Sequence, residues 1–305
     1  MSKRSDSGLD GILLIDKPAG WTSHDVVARV RKVTGQRRIG HTGTLDPMAT
    51  GLLVLCLGAA TRLVEYMMGH GKRYTGMVKL GTVTTTDDAE GEPLERRPVP
   101  PLDDAELERA VEPLRGRILQ RPPAFSALKV GGQRAYRLAR RGEGPELAPR
   151  EVVIHRFEAL RRNGEAVEID VTCSSGTYIR SLARDLGEAL GCGGHLAALR
   201  REASGPFRID DAMTLEAVEA AVMDGGIESL LLPADEALLG FDAALLGAAG
   251  ASAFARGQSW RTASWRNLGS EAIRVYSSSG AFVGVGILSN SGEIRPRKVI
   301  LRAKS

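Results

Sequence analysis

The sequence contains few cysteines and few aromatic residues, and it lacks a long uninterrupted apolar run. Its three cysteines, Cys56, Cys173 and Cys192, are widely spaced in a chain of 305 residues, which argues against a disulfide framework and favours a reducing cytoplasm. No run of about 18 apolar residues occurs, so a transmembrane helix is excluded. The apolar run at 12–15 is too short for the core of a signal peptide.

Charge is distributed unevenly along the chain, whose formal net charge is +4. Residues 1–114 carry a net charge of −1, residues 115–162 carry +8, residues 163–240 carry −9 and residues 241–305 carry +6. Two basic blocks therefore flank an acidic one. Because clusters of Lys and Arg gain affinity by releasing counterions from phosphates, this layout favours a nucleic-acid partner over an unevenly charged solvated surface.

The first part of the chain alternates short apolar runs with turns rich in Gly and Pro. The run at 11–16 predicts a buried strand, and Ser23 is the expected N-cap of a helix that stops at Gly35. Residues 36–51 are rich in Gly, Thr and Pro, so they predict a loop before a second buried strand at 52–57.

The second part predicts further strands and a separate C-terminal unit. Strands at 152–160 and 166–173 lead into an amphipathic helix at 177–190, and the basic segment 120–150 has the composition of an insertion. The stretch 240–250, rich in Gly, Ala and Leu, marks an expected domain boundary. Beyond it, short strand-like runs separated by turns predict a small β-barrel or sandwich.

The segment 37–51 has the most unusual composition, because it combines a His, an Asp and three glycines between a helix and a buried strand. Asp46 precedes Pro47, which biases its backbone towards an extended conformation. A carboxylate held on a stiff loop is suited to catalysis. Capping of a turn by Asp46 is an equally simple interpretation of this spacing.

Three other segments could meet this loop: Lys17 and Pro18 after the first strand, the start of a strand at 72–74, and the strand-to-helix connection at 174–180. Each has a structural alternative. Tyr74 and Tyr178 could be core aromatics with a polar tip, and Arg180 could be a surface residue of a helix.

Taken together, these segments resemble one known family. The strings are GILLIDKPAGWTSHDVV, RRIGHTGTLDPMATGLLVLCLGAATRL, KRYTGMVKLG, QRPPAFSALKVGGQRAYRLARRG and SSGTYIRSLARDLGEALG. In this order they resemble the TruB family of pseudouridine synthases over most of residues 11–235. Residues 252–305 resemble, more loosely, the PUA-type RNA-binding domain of that family through FVGVGILSNSGEIRPRKVI.

The resemblance implies an α/β (α+β) fold. Its central sheet would be mixed and largely antiparallel, with helices on its flanks. A pseudouridine-synthase catalytic domain would span residues 1–240, and a small PUA-like β-barrel would span residues 250–305. The basic insertion at about 120–150 would close over the RNA.

The resemblance also assigns roles to individual residues. Asp46 would be the catalytic aspartate, Arg180 would pair with it, and Tyr74 would pack on the target base. Tyr178 and Leu199 would line the base pocket. The residues with supporting or RNA-contacting roles would be His41 where the RNA loop is opened, Lys17 and Pro18 beside the pocket, and Arg137, Arg140 and Arg141 in the basic insertion.

One position departs from the family pattern. Phe125 stands where Tyr is more common before Ser-Ala, which removes a hydroxyl but keeps a surface on which a base can stack.

The implied reaction converts uridine to pseudouridine at position 55 in the T-loop of tRNA. The base is flipped out of the RNA, the bond to C1′ is cut, and the base is rejoined through C5. Because this is an isomerisation, we expect no metal or other cofactor, and the Cys192-x-x-His195 spacing lacks two further ligands for zinc. The expected partner is the T-stem-loop of tRNA, with no membrane and no obligatory protein partner for a monomeric enzyme.

Three other functions fit parts of the sequence. A guide-RNA-dependent pseudouridine synthase is disfavoured by the basic insertion at 120–150. A non-catalytic tRNA-binding or folding protein would not require Asp46, Tyr74 and Arg180 together. An unrelated carbohydrate-acting enzyme is disfavoured by the charge layout, and a hydrolase would usually need a second carboxylate.

Overall fold

The computed structural model describes residues 7–126, 128–130, 132–139, 141, 143–144, 147–262 and 272–301. The strands are β1 (Gly11–Lys17), β2 (Ile39–His41), β3 (Thr50–Leu57), β4 (Lys72–Leu80), β5 (Thr82–Thr84), β6 (Pro93–Arg96), β7 (Gly116–Gln120), β8 (Lys129–Val130), β9 (Gln133–Arg134), β10 (Arg150–Asn163), β11 (Ala166–Cys173), β12 (Gly194–Ser204), β13 (Phe207–Arg208), β14 (Ala243–Leu246), β15 (Trp260–Arg261), β16 (Ala272–Ser277), β17 (Phe282–Leu288) and β18 (Glu293–Val299). The α-helices are α1 (Ser23–Thr34), α2 (Val64–Met68), α3 (Asp104–Val111), α4 (Ala135–Ala139), α5 (Ile179–Ala189), α6 (Leu215–Met223) and α7 (Ala248–Ala255). Short 3-10 helices span Gly58–Leu63, Glu112–Leu114, Ile209–Asp211, Ile227–Leu230 and Ala234–Leu238.

The central sheet is mixed and largely antiparallel. Its main path runs β1-β3-β12-β4-β11-β10-β7, with β2 added beside β3 and β13 beside β12. The single parallel pairing among these strands joins β12 to β3, where Arg200 lies opposite Thr50 and Arg201 lies opposite Gly51. Gly51 has a φ of +94°, and a Cβ there would lie 2.4 Å from the Arg201 carbonyl oxygen, so glycine permits this close approach.

Strand β12 lies in the middle of this sheet, yet the sequence pattern does not predict it. Its pairing with β4 shifts register between Leu196 and Ala198 and again between Arg201 and Ala203. Each bulge interrupts the alternation of inward and outward side chains, so the period of two that identifies other strands is lost.

The two faces of the sheet carry separate apolar clusters. On one face, Val26, Val27 and Val30 of α1 pack with residues of α5 and α6 and with Val78 of β4. The opposite face, near β1 and β3, packs against the C-terminal part of the chain. Val285 of β17 belongs to that second cluster, which joins the central sheet to the sheet that contains β17.

The N-cap of helix α1 lies one residue earlier than predicted. The prediction of Ser23 as N-cap was wrong: Thr22 caps the helix and forms a capping box with Asp25. The Ser23 hydroxyl instead accepts a hydrogen bond from the Leu45 backbone N–H at 2.8 Å. The predicted stop at Gly35 is confirmed, because Gly35 has a left-handed backbone and its N–H donates to the Arg31 carbonyl.

The C-terminal residues form a second sheet in the order β14-β16-β17-β18-β15, with a half-barrel form. Helix α7 packs on it through Phe254, and Gly250 lies so close to Trp260 that a Cβ would be 2.8 Å from the indole nitrogen. The two sheets are connected by an edge-to-face contact of Tyr66 with Phe241 and by a salt bridge of 2.6 Å between Lys298 and Glu65. The predicted α/β (α+β) fold, with a mixed, largely antiparallel central sheet and a small C-terminal β unit, is therefore confirmed.

Within the described residues, no helix has the length and apolar character needed to cross a lipid bilayer.

Candidate active site

A pocket of about 340 Å³ opens where the loop 42–46, the start of β4 and the start of α5 converge. Three loops, strands β4 and β12, and helices α2 and α5 supply its walls. Its described lining residues are Thr42, Gly43, Thr44, Leu45, Asp46, Met68, Lys72, Tyr74, Phe125, Ser126, Gly176, Thr177, Tyr178, Ile179, Arg180, Leu199 and Arg201.

Asp46 is presented to this pocket by an anchored loop. The preceding Leu45 is buried in the main core, and its backbone exchanges two hydrogen bonds with the Ser23 hydroxyl of α1. The Asp46 carbonyl accepts a hydrogen bond from the Ala49 N–H at 3.1 Å, which closes the turn around Pro47. These contacts hold the carboxylate at a fixed point on the pocket wall.

Lys17 supports this loop from behind without lining the pocket. Its fully buried ammonium donates to the carbonyl oxygens of Trp21 at 2.6 Å, Pro18 at 2.9 Å and Pro47 at 3.2 Å. Burial lowers the pKa of Lys17 to about 8. Pro18 is exposed and also lies outside the lining. Lys17 thus acts on the site through its contact with the Pro47 carbonyl and through its charge, which opposes the rise in the pKa of Asp46.

Asp46 and Arg180 form a two-point ion pair. Asp46 Oδ2 lies 3.0 Å from Arg180 Nε, and Oδ1 lies 3.2 Å from Nη2. The Arg180 side chain is 6% exposed, whereas 35% of the Asp46 side chain remains open towards the pocket. Two further carbonyls, of Thr86 and Phe125, accept hydrogen bonds from the same guanidinium. The orientation of Arg180 is therefore fixed by the protein.

A second carboxylate, Asp88, also contacts Arg180. Its Oδ2 lies 3.2 Å from Arg180 Nη1, and it is buried outside the pocket lining. The sequence offered only one obvious carboxylate, and Asp88 was missed because it lies in an acidic segment that resembles a surface loop. Among the described lining residues, Asp46 is still the only acidic side chain.

The pKa of Asp46 is raised above its ordinary value. Burial is the largest cause, the Arg180 guanidinium acts against it, and the Asp88 charge adds to the rise. Arg180 therefore opposes the desolvation of Asp46 without cancelling it.

Tyr74 and Leu199 come from adjacent strands, β4 and β12, and both border the pocket. Burial raises the pKa of the Tyr74 hydroxyl, and the neighbouring Arg201 guanidinium acts in the opposite direction. Arg201 is 1% exposed and donates to the carbonyls of Leu52 at 2.6 Å and Gly43 at 3.1 Å. It connects the centre of the sheet to the loop that carries Asp46.

Tyr178 lies at the start of α5, where it lines the pocket. Its backbone is held on both sides by the buried side chain of Gln120: the Tyr178 N–H donates to Oε1 at 2.8 Å, and Nε2 donates to the Tyr178 carbonyl at 3.1 Å. Because α5 begins at the next residue, this contact also sets the position of Arg180.

His41 ends β2 and precedes the lining residue Thr42, but it does not line the pocket itself. Its pKa is lowered by burial and by the nearby charges of His24 and Arg201. Its Nδ1 is buried and has no hydrogen-bond partner within the described residues.

The basic insertion follows Phe125 and Ser126, which line the pocket. It contains the hairpin of β8 and β9 and the short helix α4, which includes Tyr136. Arg141 Nη2 donates to Gln133 Oε1 at 2.7 Å, and Arg141 also pairs with Glu143 at 3.5 Å. Arg140 and the side chain of Arg137 lie outside the described residues.

The sequence did not indicate Arg201, and it included Lys72 only in the segment 72–74 that could meet the loop, without assigning it a role. Arg201 lies in the unpredicted strand β12, within a run of charged residues typical of a surface. Lys72 opens β4 beside Arg73, and a pattern of adjacent basic residues does not distinguish an inward from an outward side chain.

Chemically, the pocket offers one carboxylate held by a guanidinium, with a buried phenol and further cations around it. A single carboxylate does not fit the usual arrangement for glycoside hydrolysis, where two carboxyl groups face the scissile bond. It fits a reaction in which one anion acts on a nucleoside from which water is excluded.

Family comparisons match nearly the whole chain. Residues 31–179 match the TruB family pseudouridylate synthase N-terminal domain, residues 180–239 match the tRNA pseudouridylate synthase B C-terminal domain, and residues 244–300 match the pseudouridine synthase II TruB C-terminal domain.

Curated relatives named tRNA pseudouridine synthase B are similar over comparable lengths. The protein of Thermobifida fusca (strain YX) is 57% identical over 69% of this chain and 75% of its own length. That of Xylella fastidiosa (strain Temecula1 / ATCC 700964) is 46% identical over 98% of each chain. That of Ectopseudomonas mendocina (strain ymp) is 44% identical over 98% of this chain and 97% of its own.

Solved structures show the same fold at low sequence identity. A chain of a Cbf5-Nop10-Gar1 complex aligns with a TM-score of 0.73 and 24% identity, over 96% of this chain and 85% of that one. A chain of an H/ACA RNP bound to a substrate RNA containing 2'-deoxyuridine aligns with a TM-score of 0.72 and 23% identity, over 95% and 85%. With these matches, the chain belongs to the TruB family of pseudouridylate synthases.

Proposed function

We propose that this protein isomerises uridine to pseudouridine in tRNA, and that its target is position 55 in the T-loop. The observation that carries this proposal is the Asp46–Arg180 pair in the wall of a pocket that Tyr74 also borders, in a chain of the TruB family. The relatives with 44–57% identity are named for tRNA, which favours a tRNA substrate over a guided RNA.

Asp46 is the catalytic residue of this proposal. Its carboxylate must be ionised either to attack the nucleoside or to stabilise positive charge at C1′. Arg180 holds the carboxylate in place through two contacts and favours its ionised form. The bond from N1 to C1′ breaks, the base turns within the pocket, and C5 forms the new bond to C1′.

Base recognition falls to the other lining residues. Extrusion of a base costs a few kcal/mol, which stacking and hydrogen bonds in the pocket offset. Tyr74 supplies the ring that packs on the base, while Tyr178 and Leu199 form the neighbouring walls. His41, one residue before the lining, would hold the RNA loop open. Lys17 and Pro18 keep the catalytic loop in position.

The proposal divides the molecule into a catalytic domain of residues 1–240 and an RNA-binding, PUA-like domain of residues 250–305. Support comes from two separate sheets, with β14–β18 all lying beyond residue 240. Arg137, Arg140 and Arg141 would contact phosphates of the T-stem-loop. RNA loops are recognised through unstacked bases and backbone charge, and a basic insertion next to the pocket meets that requirement.

We further propose that the enzyme acts as a monomer in the cytoplasm, without an obligatory protein partner and without a cofactor. The isomerisation transfers no electrons to or from the protein and moves no phosphate. The three cysteines are free and buried, as expected of a reducing compartment.

The test uses purified full-length protein and an unmodified tRNA transcript, with no guide RNA. Pseudouridine is located by reverse-transcription stops after chemical adduct formation. We expect a stop at the T-loop uridine and none in a transcript whose T-loop uridine is replaced by cytidine. Absence of product at position 55 would reject the proposed function.

A further inference from the structure

Two cationic side chains, Lys72 and Arg201, approach each other near Tyr74. A Cβ placed on Gly43 would lie 3.4 Å from Lys72 Cε and 3.5 Å from Arg201 Nη1. The glycine therefore leaves space in which the ammonium stem and the guanidinium approach each other over the catalytic loop. Both side chains also line the pocket.

The described hydrogen-bond partners of both cations are uncharged groups. Lys72 Nζ donates to the His70 carbonyl at 2.8 Å. Arg201 donates to the carbonyls of Leu52, Gly43 and Thr44 and also hydrogen-bonds the Tyr74 side chain. In the part of the chain that the structure describes, neither makes a salt bridge to a carboxylate. Two adjacent positive charges in a largely buried site repel each other and lose hydration, which is costly unless an anion occupies the site.

We propose that Lys72 and Arg201 form an anion subsite that holds the uracil ring while it is detached from the ribose. This inference deepens the proposed function and rests on it. Lys72 would touch the base and act as a catalytic residue. Arg201 would add its positive charge to the subsite and would keep the catalytic loop in position.

The chemistry of the reaction supplies the anion. When the N1–C1′ bond breaks, its electron pair stays on the base, where N1, O2 and O4 share the negative charge. The charge is neutralised when C5 donates an electron pair to C1′; the C5 proton then leaves and N1 takes up a proton, so that the product is a neutral isomer of the substrate. Cations that are preorganised around a developing anion stabilise the transition state more than the neutral ground state. Asp46 therefore acts on C1′ of the ribose, whereas the Lys72–Arg201 pair stabilises the negative charge on the base.

A phosphate of the RNA backbone is the other anion that this subsite could hold. Lys72 also borders a second cleft of about 570 Å³, lined in part by Arg73 and Arg208, through which a backbone could pass. A base anion is favoured because Arg201 lies beside Tyr74, the ring assigned to the base. The experiments below separate the two sources.

The charged and titratable groups around Lys72 come from three strands and one loop. They are Arg201 on β12, Cys173 on β11, Tyr74 on β4 and His70 before that strand. Burial and Arg201 lower the pKa of Lys72 to about 8. Burial raises the pKa of Cys173 to about 11, so this thiol stays neutral when Lys72 titrates.

The first experiment compares Lys72→Met with Lys79→Met, a matched change on the same strand at a residue that pairs with Glu165 away from the pocket. Single-turnover rates and tRNA dissociation constants are measured at pH 7. We expect the Lys72 variant to be slower by about 100- to 1000-fold with little change in affinity, as for loss of one transition-state donor. The Lys79 variant should match wild type.

The second experiment repeats these rates with tRNA that contains 5-fluorouridine at the target position. Fluorine withdraws electrons, so the detached base needs less help from the protein. The loss caused by Lys72→Met, read from consumption of 5-fluorouridine after nuclease digestion, should be severalfold smaller than on uridine. An equal loss on both substrates would overturn the proposal, as would a loss confined to tRNA affinity with a weaker salt dependence, which marks a phosphate contact.

A third variant tests whether the loss of rate in Lys72→Met comes from the lost charge or from a disturbed structure. Lys72→Arg keeps the charge to higher pH, so the decline in rate that wild type should show above pH 8 is expected to move upwards. An unchanged decline would assign it to another group, such as Lys17, and would contradict a catalytic role for Lys72. Wild-type turnover reports on the proposed function, whereas the ratio of variant to wild type reports on this subsite.

Discussion

Arg180 joins two carboxylates: its Nε lies 3.0 Å from Asp46 Oδ2, and its Nη1 lies 3.2 Å from Asp88 Oδ2. Asp88 is in turn fixed by the Glu90 backbone N–H at 3.0 Å. The guanidinium thus has a buried anchor on one side and the catalytic carboxylate on the other. This arrangement lets Asp46 remain partly open to the pocket while its direction is set by the protein.

Replacing Arg180 by Lys should slow catalysis strongly. A single ammonium cannot reproduce the two parallel contacts to Asp46, so the carboxylate loses its fixed orientation, at an expected cost of about 10- to 100-fold in single-turnover rate. Arg184→Lys is the matched control, because Arg184 lies one turn further on α5 and pairs with Asp87 outside the pocket. Equal rates for the two variants would remove Arg180 from its assigned role.

The rate of pseudouridine formation should fall as the pH is lowered, and this fall should occur at a pH above the usual range of aspartate pKa values. The pKa of Asp46 is raised, so its carboxylate takes up a proton at a higher pH than a free aspartate does, and activity is lost as the pH falls through that value. Asp88→Asn removes a charge that contributes to this rise, so the acid limb should move to lower pH. If the acid limb of the pH–rate profile is the same for Asp88→Asn and wild type, the protonation of Asp46 does not control it.

Replacing Gln120 by Leu should destabilise the start of α5. The change leaves the N–H and the carbonyl of Tyr178 without their side-chain partners, which costs about 1–3 kcal/mol for each buried group left unsatisfied. Urea denaturation should show the loss of stability, and Gln120→Glu, which keeps the acceptor, should lose less. Equal stability of wild type and Gln120→Leu would mean that the contact does not position Tyr178.

Removing the basic side chains of the insertion should weaken tRNA binding and its dependence on salt. If Arg137, Arg140 and Arg141 each contact a phosphate, changing all three to Ala lowers the slope of log K against log salt concentration by roughly 2 to 3. Filter binding at several salt concentrations measures this slope. A reduced affinity with the same slope would indicate loss of structure instead of loss of phosphate contacts.

Local patterns in the sequence identify much of the fold. The run at 11–16 and the stop at Gly35 are set by burial and by backbone conformation, which neighbouring residues encode. Strand β12 could not be identified in this way, because its two bulges break the alternation and its place in the sheet depends on partners far away in sequence. Thr22 was missed as a cap because the adjacent Ser23 is an equally suitable residue type.

The residues of the site likewise divide into those that a local sequence pattern identifies and those that only the folded structure brings together. Asp46 stands out because His, Gly and Pro surround it in one loop, and the family resemblance then points to Tyr74 and Arg180. Arg201 has no local signal, and Lys72 is marked only by its place in the segment 72–74, since strands that pair across the sheet bring both side chains to the pocket. A basic residue becomes notable only when the structure shows that no acid balances it.

The most direct test of the account measures pseudouridine formation by Asp46→Asn beside wild type and the exposed control Asp224→Asn. A single round of reaction is followed on unmodified tRNA transcript, and tRNA affinity is measured in parallel. The account predicts wild-type affinity for all three proteins, full conversion by wild type and the control, and no conversion by Asp46→Asn. Substantial conversion by Asp46→Asn would contradict the central claim that this carboxylate performs the isomerisation.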